Sequence, residues 1–104
     1  MGRSLFYITV ENMEEAEKIA EVLIKEKLAA CVNVIPGMRS FFCWEGEVQS
    51  ESEILVIGKT KSVLVEELVE CVKKYHSYEL PCVITFNIED GNPPFLEWID
   101  KETR

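Results

Sequence analysis

The only histidine of the chain, His76, lies in the stretch KYHSYELPC (Lys74 to Cys82), three residues before Glu79 and six before Cys82. An imidazole, a carboxylate and a thiol at this spacing are donors that suit copper or zinc. The same residues also read as the end of a helix that runs into a strand. A histidine at a helix C-terminus is favoured by the macrodipole, typically by ~0.3–1 kcal/mol. Both readings stand on the residues alone. The four cysteines are Cys31, Cys43, Cys71 and Cys82, and none belongs to a CxxC pair. The usual spacing of a structural zinc site is therefore missing, and free thiols in a reducing compartment are expected. Cys31 sits among small residues in a strand, where a thiol is either a buried, inert hydrophobe or a soft Cu(I) ligand. Asn33, on the same strand face, needs a partner if it is buried. Lys59 is the lone cation after ILVIG and calls for a carboxylate such as Glu79 or Glu53.

The elements that must position these groups follow from periodicity. SLFYITV (residues 4–10), rich in β-branched and aromatic residues, predicts a strand. Asn12 with Glu15 resembles a capping box. Ala16, Ile19, Ala20 and Leu23 then recur at helical spacing, predicting a helix over 13–26. LAACVNVIPG is a second strand, interrupted by a bend or bulge at Pro36-Gly37. MRSFFCW continues it to a hairpin turn at Glu45-Gly46, where glycine supplies positive φ. EVQSESEILVIGKT returns as the third strand, with Trp44 near Glu47 and Cys31 near Thr60. Ser62 is a candidate cap for a second helix whose buried stripe is Leu64, Leu68, Cys71, Val72 and Tyr75. Pro81 opens a last strand, CVITFNIED. Gly91 to Pro94 break it, and a short helix carries Phe95, Ile99 and Glu102 on one side with Trp98 beside them.

With 104 residues and nearly half of them apolar, the chain is sized for one domain with its own core, residues 1–104. The order βαββαβ plus a terminal helix predicts an α+β, ferredoxin-like (split βαβ) fold, with an antiparallel sheet and its helices on one face. The other face would then lack cover, although the central strands carry apolar residues on both sides. A second subunit is the economical cover. Each hairpin arm, about 14 residues at ~3.3 Å per residue, spans roughly 45 Å. A domain of this length measures only roughly 35 Å across. The distal hairpin must therefore fold back or project, carrying Phe41, Phe42 and Trp44. These rings are costly to leave wet at about 25 cal/mol per Å², so a neighbouring copy is expected to take them.

The net charge of −8 excludes a protein that relies on phosphate neutralisation, so no nucleic-acid partner is expected. No apolar run approaches the ~18 residues of a membrane span. MGRSLFYITV lacks the apolar core of a signal peptide. A cytoplasmic protein without a membrane partner is expected.

KLAACVNVIPGMRSFFCWEGEVQSESEILVIGKT, YHSYELP and GNPPFLEW together resemble the CutA family of divalent-ion tolerance proteins. The resemblance runs from the first strand to the last helix. It rests on the AACVN strand, the PG bend, the W-EG turn, the H-x-YE-x-P entry to the last strand and the G-x-x-x-x-L-x-W end. It implies a ferredoxin-like subunit in a compact homotrimer, similar in architecture to the PII signalling proteins, with the long hairpin packed on the neighbour. It also implies a cytoplasmic role linked to copper and other divalent metal ions, and no established reaction. Three positions depart from the family's habit: Ser77 where proline often follows the histidine, Cys82 where glutamate often follows the proline, and Cys43 before the tryptophan. Cys82 and Cys43 are thus poor candidates for a shared role, whereas Cys31 sits within the motif.

The expected metal donors are Cys31, His76 and Glu79, for copper or another divalent cation. Asn33, Trp44, Lys59 and Tyr78 are expected in a ligand or intersubunit pocket. Phe41, Phe42, Trp44 and Trp98 are expected at the oligomer interface. A small-molecule or partner-binding module without metal chemistry is the competing function. Catalysis is not expected. No nucleophile–base pair is evident, and Arg3, Arg39 and Arg104 do not form the phosphate cradle that acylphosphatase-type chemistry needs.

Overall fold

The computed structural model of the chain describes residues 2–104. Eight elements follow in order: β1 (Arg3–Val10), α1 (Met13–Lys25), β2 (Cys31–Trp44), β3 (Glu47–Lys61), a 3₁₀ turn (Ser62–Leu64), α2 (Val65–Tyr75), β4 (Val83–Ile88) and α3 (Pro93–Glu102). The strands form one antiparallel sheet in the order β2-β3-β1-β4. This is the α+β, ferredoxin-like arrangement that the element order predicts.

Local chemistry explains the boundaries. The Asn12 side chain accepts the Glu15 N–H at 2.9 Å and starts α1. Ser62 does not cap α2. Its hydroxyl is paired with Ser4 at 2.7 Å, and the 3₁₀ turn leads into the helix instead. Glu45 and Gly46 both have positive φ, 50° and 83°, as a tight hairpin turn of the primed kind requires. Pro36 and Gly37 together oppose a single residue of β3, a bulge that Gly37 serves with φ 91°. The extra residue shifts the register by one, so Cys31 pairs with Lys59 rather than Thr60. A shift of one residue changes the sheet face. Thr60 is buried on the helix side, whereas Lys59 faces the other way.

Phe6, Ile8, Val10 and Val56 point toward α1 and α2 and are fully buried against Ala16, Ile19, Leu23, Leu68 and Val72. Tyr75, at the end of the predicted stripe, remains 39% exposed, with Lys18 Nζ 5.8 Å from its ring centroid. The opposite face presents Leu5, Tyr7 and Thr9 of β1, Leu55, Ile57 and Lys59 of β3, Cys31, Asn33 and Ile35 of β2, and Ile84 and Phe86 of β4. Part of it is covered by the chain itself, which the strand pattern does not anticipate. α3 docks at one end through Arg3, which donates to both Asp100 carboxylate oxygens at 3.0 and 2.5 Å. That guanidinium holds the Asp100 carboxyl below its usual range. Beyond α3 the face stays open: Ile35, Ile84 and Phe86 are each about half exposed. The hairpin extends the molecule to 45 Å along its longest axis. Among the described residues no helix is long and apolar enough to cross a membrane.

Gly58 shows how tightly the sheet is packed. A Cβ there would lie 2.3 Å from both the Cys31 carbonyl oxygen and the Phe6 ring. Gly58→Ala is therefore expected to destabilise the fold by about 1–3 kcal/mol or more through overpacking. Chemical denaturation checks it, and a change below about 0.5 kcal/mol would contradict this packing.

Candidate functional site: a groove beneath the hairpin

The distal hairpin curls over the segment that joins α2 to β4. Between them lies a groove of about 620 Å³, walled by Tyr7, Phe42, Trp44, Tyr78 and Leu80, with Glu51, Glu53 and Glu79 as its acidic groups. Its floor is set by two phenols. The Tyr7 hydroxyl donates to the Met38 sulfur at 3.9 Å. The Tyr78 hydroxyl donates to Glu53 Oε2 at 2.7 Å. Glu53 is only 7% exposed, so this bond stabilises a carboxylate that is largely out of water. Burial, and then the Glu53 hydrogen bond and charge, push the Tyr78 phenol well above its ordinary range.

His76 caps the C-terminus of α2, and its side chain has no exposure. Nδ1 accepts the Tyr78 N–H at 3.2 Å, and Nε2 lies 2.8 Å from the Thr9 carbonyl oxygen. A carbonyl can only accept, so the ring is neutral with its proton on Nε2. Both nitrogens are thus engaged within the chain, and neither offers a lone pair to a metal. Of the two readings of KYHSYELPC, the geometry carries the helix-end one.

The remaining expected site residues fall into two places. Trp44, Tyr78 and Glu79 line the groove, with Phe41, Phe42 and Cys82. Cys31, Asn33 and Lys59 form a separate group farther along the open face. There Lys59 Nζ donates to Asn33 Oδ1 at 3.3 Å and the Cys31 thiol lies 4.0 Å from the same oxygen. Among the described residues Lys59 finds no carboxylate. Its other neighbour is the Phe95 ring, 5.9 Å away, a cation–π contact, while Glu53 is held by Tyr78. Asn33 is exposed, so its amide has water as well as Lys59. Cys31, His76 and Glu79 do not converge. Among the described residues no three His, Cys, Asp or Glu side chains are grouped to hold a metal ion. One chain therefore does not fit a chelating site. Phe41, Phe42, Trp44 and Trp98 are all substantially exposed, at 72%, 41%, 39% and 39%. Periodicity does not single out Glu53 or Tyr7. Their role depends on the curl of the hairpin; Glu53 pairs with Met38 beside the bulge, where the polar QSESE stretch meets ILVIG.

Tyr78→Phe removes the donor to a buried carboxylate and is expected to cost about 1–3 kcal/mol at neutral pH. The raised phenol also gives a sign. A folded-state pKa above the unfolded value of about 10 stabilises the fold below that pH and loses the contribution as pH rises further. The wild type should therefore lose stability above about pH 10 more steeply than Tyr78→Phe, as read by denaturation at a series of pH values; equal slopes would contradict the assignment.

The CutA1 divalent ion tolerance protein family profile matches residues 4–102. The chloroplastic protein CutA of Arabidopsis thaliana is 48% identical over 98 residues, covering 94% of this chain and 54% of the relative. This chain thus spans about half the length of such plant relatives. The divalent-cation tolerance protein CutA of Archaeoglobus fulgidus is 46% identical over 98 residues, covering 94% of this chain and 95% of the relative. Among solved structures, CutA1 from Oryza sativa superposes with a TM-score of 0.97 at 44% identity, covering all of this chain and 95% of the other. The divalent cation tolerance protein from Thermus thermophilus gives 0.96 at 38% identity, covering 98% and 99%. A profile match over nearly the whole chain, close relatives and superposable folds agree: the chain belongs to the CutA1 divalent ion tolerance protein family.

Proposed function

We propose that the chain acts as a cytoplasmic homotrimer in tolerance of divalent metal ions, binding copper or a similar cation with donors from more than one copy. The observation that carries this reading is the open sheet face. It is mostly apolar, it is continuous with an exposed aromatic hairpin, and it holds Cys31 with Glu51 and Glu53, while Glu79 adjoins it from the connection between α2 and β4. A single chain has no grouped donor set among the described residues, so copies that meet on this face would supply the missing ligands. Membership of a family named for divalent ion tolerance supports the biological role. Four free thiols are consistent with a reducing compartment. We also propose that the protein binds rather than catalyses. His76, the one candidate general base among imidazoles, is buried and engaged at both nitrogens, and burial pushes the Cys71 thiol up, away from nucleophilic character.

Equilibrium dialysis tests the metal reading. With Cu²⁺, and with Cu⁺ under reductant, saturable uptake at micromolar concentration is expected. Cys31→Ser should weaken Cu⁺ uptake, because thiolate is the soft donor. Glu79→Gln should weaken Cu²⁺ uptake. His76→Gln should leave Cu⁺ uptake unchanged in protein that remains folded, because Cys31 lies in a separate group away from the ring. Absence of saturable uptake, or loss confined to the His76 variant, would contradict the proposal.

The groove favours a second reading, a small-molecule module of the PII-like kind. Aromatic walls with carboxylates suit an organic ligand of net positive charge. A thermal-shift comparison of such compounds with metal ions separates the two, since the true ligand raises Tm with its concentration.

A further inference from the structure

The Nδ1 atom of His76 has two neighbours that cannot both be satisfied by one protonation state. The Tyr78 N–H, at 3.2 Å, needs an acceptor. Glu15 Oε2, at 3.6 Å, needs a donor, and it is a buried oxygen with no hydrogen-bond partner. In the neutral ring Tyr78 is served and Glu15 is not. A proton on Nδ1 reverses this. It would place two N–H groups face to face at Tyr78, and it would give Glu15 a charge-assisted partner. Each arrangement leaves one buried group unserved, so the balance is set by the proton. Glu15, at 12% side-chain exposure, connects the otherwise sealed ring to solvent.

The consequence reaches the groove, because Tyr78 has only short ties. Its ring lies 4.9 Å from the His76 ring, its N–H is held by Nδ1, and its hydroxyl holds Glu53. We propose that His76 is a proton-operated latch: neutral, it fixes Tyr78 and hence the groove; protonated, it turns Nδ1 to Glu15 and releases the Tyr78 backbone. The other charged groups around it come from every adjoining element. Glu11, after β1, accepts from Ser77 at 3.2 Å, and Lys18 of α1 lies over the Tyr75 ring at 5.8 Å. Lys73 in the last turn of α2 is paired with Glu70 at 3.2 Å, and Glu53 acts through Tyr78. Among the described residues Glu15 is the one carboxylate within 4 Å of a ring nitrogen. The latch does not depend on which ligand the groove takes.

The test is NMR of the assembled, ¹⁵N-labelled protein from neutral to mildly acidic pH. At neutral pH the ring should be the Nε2–H tautomer. As the ring takes up a proton, the Tyr78 amide should exchange with solvent about tenfold faster, the loss of one hydrogen bond, while amides of β1 and β3 stay protected. In Glu15→Gln the same transition should move to lower pH, because the neutral amide is a weaker acceptor. In His76→Gln, which keeps a donor for Thr9 but cannot titrate, Tyr78 exchange should not respond to pH beyond the intrinsic chemical trend. Three results would overturn the latch: an Nδ1–H tautomer at neutral pH, ring titration with Tyr78 protection unchanged, or a ring that stays neutral until the whole protein unfolds.

Discussion

A four-stranded sheet has two faces, and this chain has two long helices for only one of them. That constraint governs the rest of the molecule. The helix side is closed, with Phe6, Ile8, Val10 and Val56 out of contact with water. The far side is met by α3 at one end and by nothing in the described residues across Ile35, Ile84 and Phe86. An antiparallel sheet often has one wet face, and then its outward residues are polar. Here most of them are apolar, and an exposed apolar face of this kind marks an interaction surface. The hairpin extends the same surface outward through Phe42 and Trp44, both substantially exposed.

The polar groups that break this apolar surface are tied to one another rather than scattered. Thr9, His76, Tyr78 and Glu53 form a continuous chain of hydrogen bonds from β1 to the base of the hairpin. It ties the end of α2 to β3 through a buried ring, so the groove is positioned by the core rather than by a loop alone. Lys59, Asn33 and Cys31 make a second, separate group. Their separation is why the donors that look adjacent in type do not assemble into a metal site within one chain, and why the proposed function relies on contributions from several copies.

Much of the fold is legible in the sequence because its signals are local. Asn12 with Glu15 starts a helix, Glu45-Gly46 turns a hairpin, and the apolar periods of α1 and α2 face the sheet. Expectation and structure part where a distant residue decides the outcome. Ser62 has the chemistry of a cap, yet Ser4 on β1 holds its hydroxyl. Counting back from the turn puts Cys31 opposite Thr60, and the extra residue at Pro36-Gly37 moves it opposite Lys59 and onto the other face. Lys59 calls for a carboxylate, but Glu53 is already held by Tyr78. The site is less legible than the fold for the same reason. KYHSYELPC offers metal-type donors by composition, and only the tertiary arrangement places Thr9 and the Tyr78 amide on the two nitrogens of His76.

The central claim is that the bare sheet face cannot remain exposed in solution and is closed by further copies of the chain. Multi-angle light scattering of the purified protein in dilute buffer at neutral pH tests it most directly. A single species of three times the 12.0 kDa chain mass is predicted. A well-folded, monodisperse species at 12.0 kDa would contradict the account.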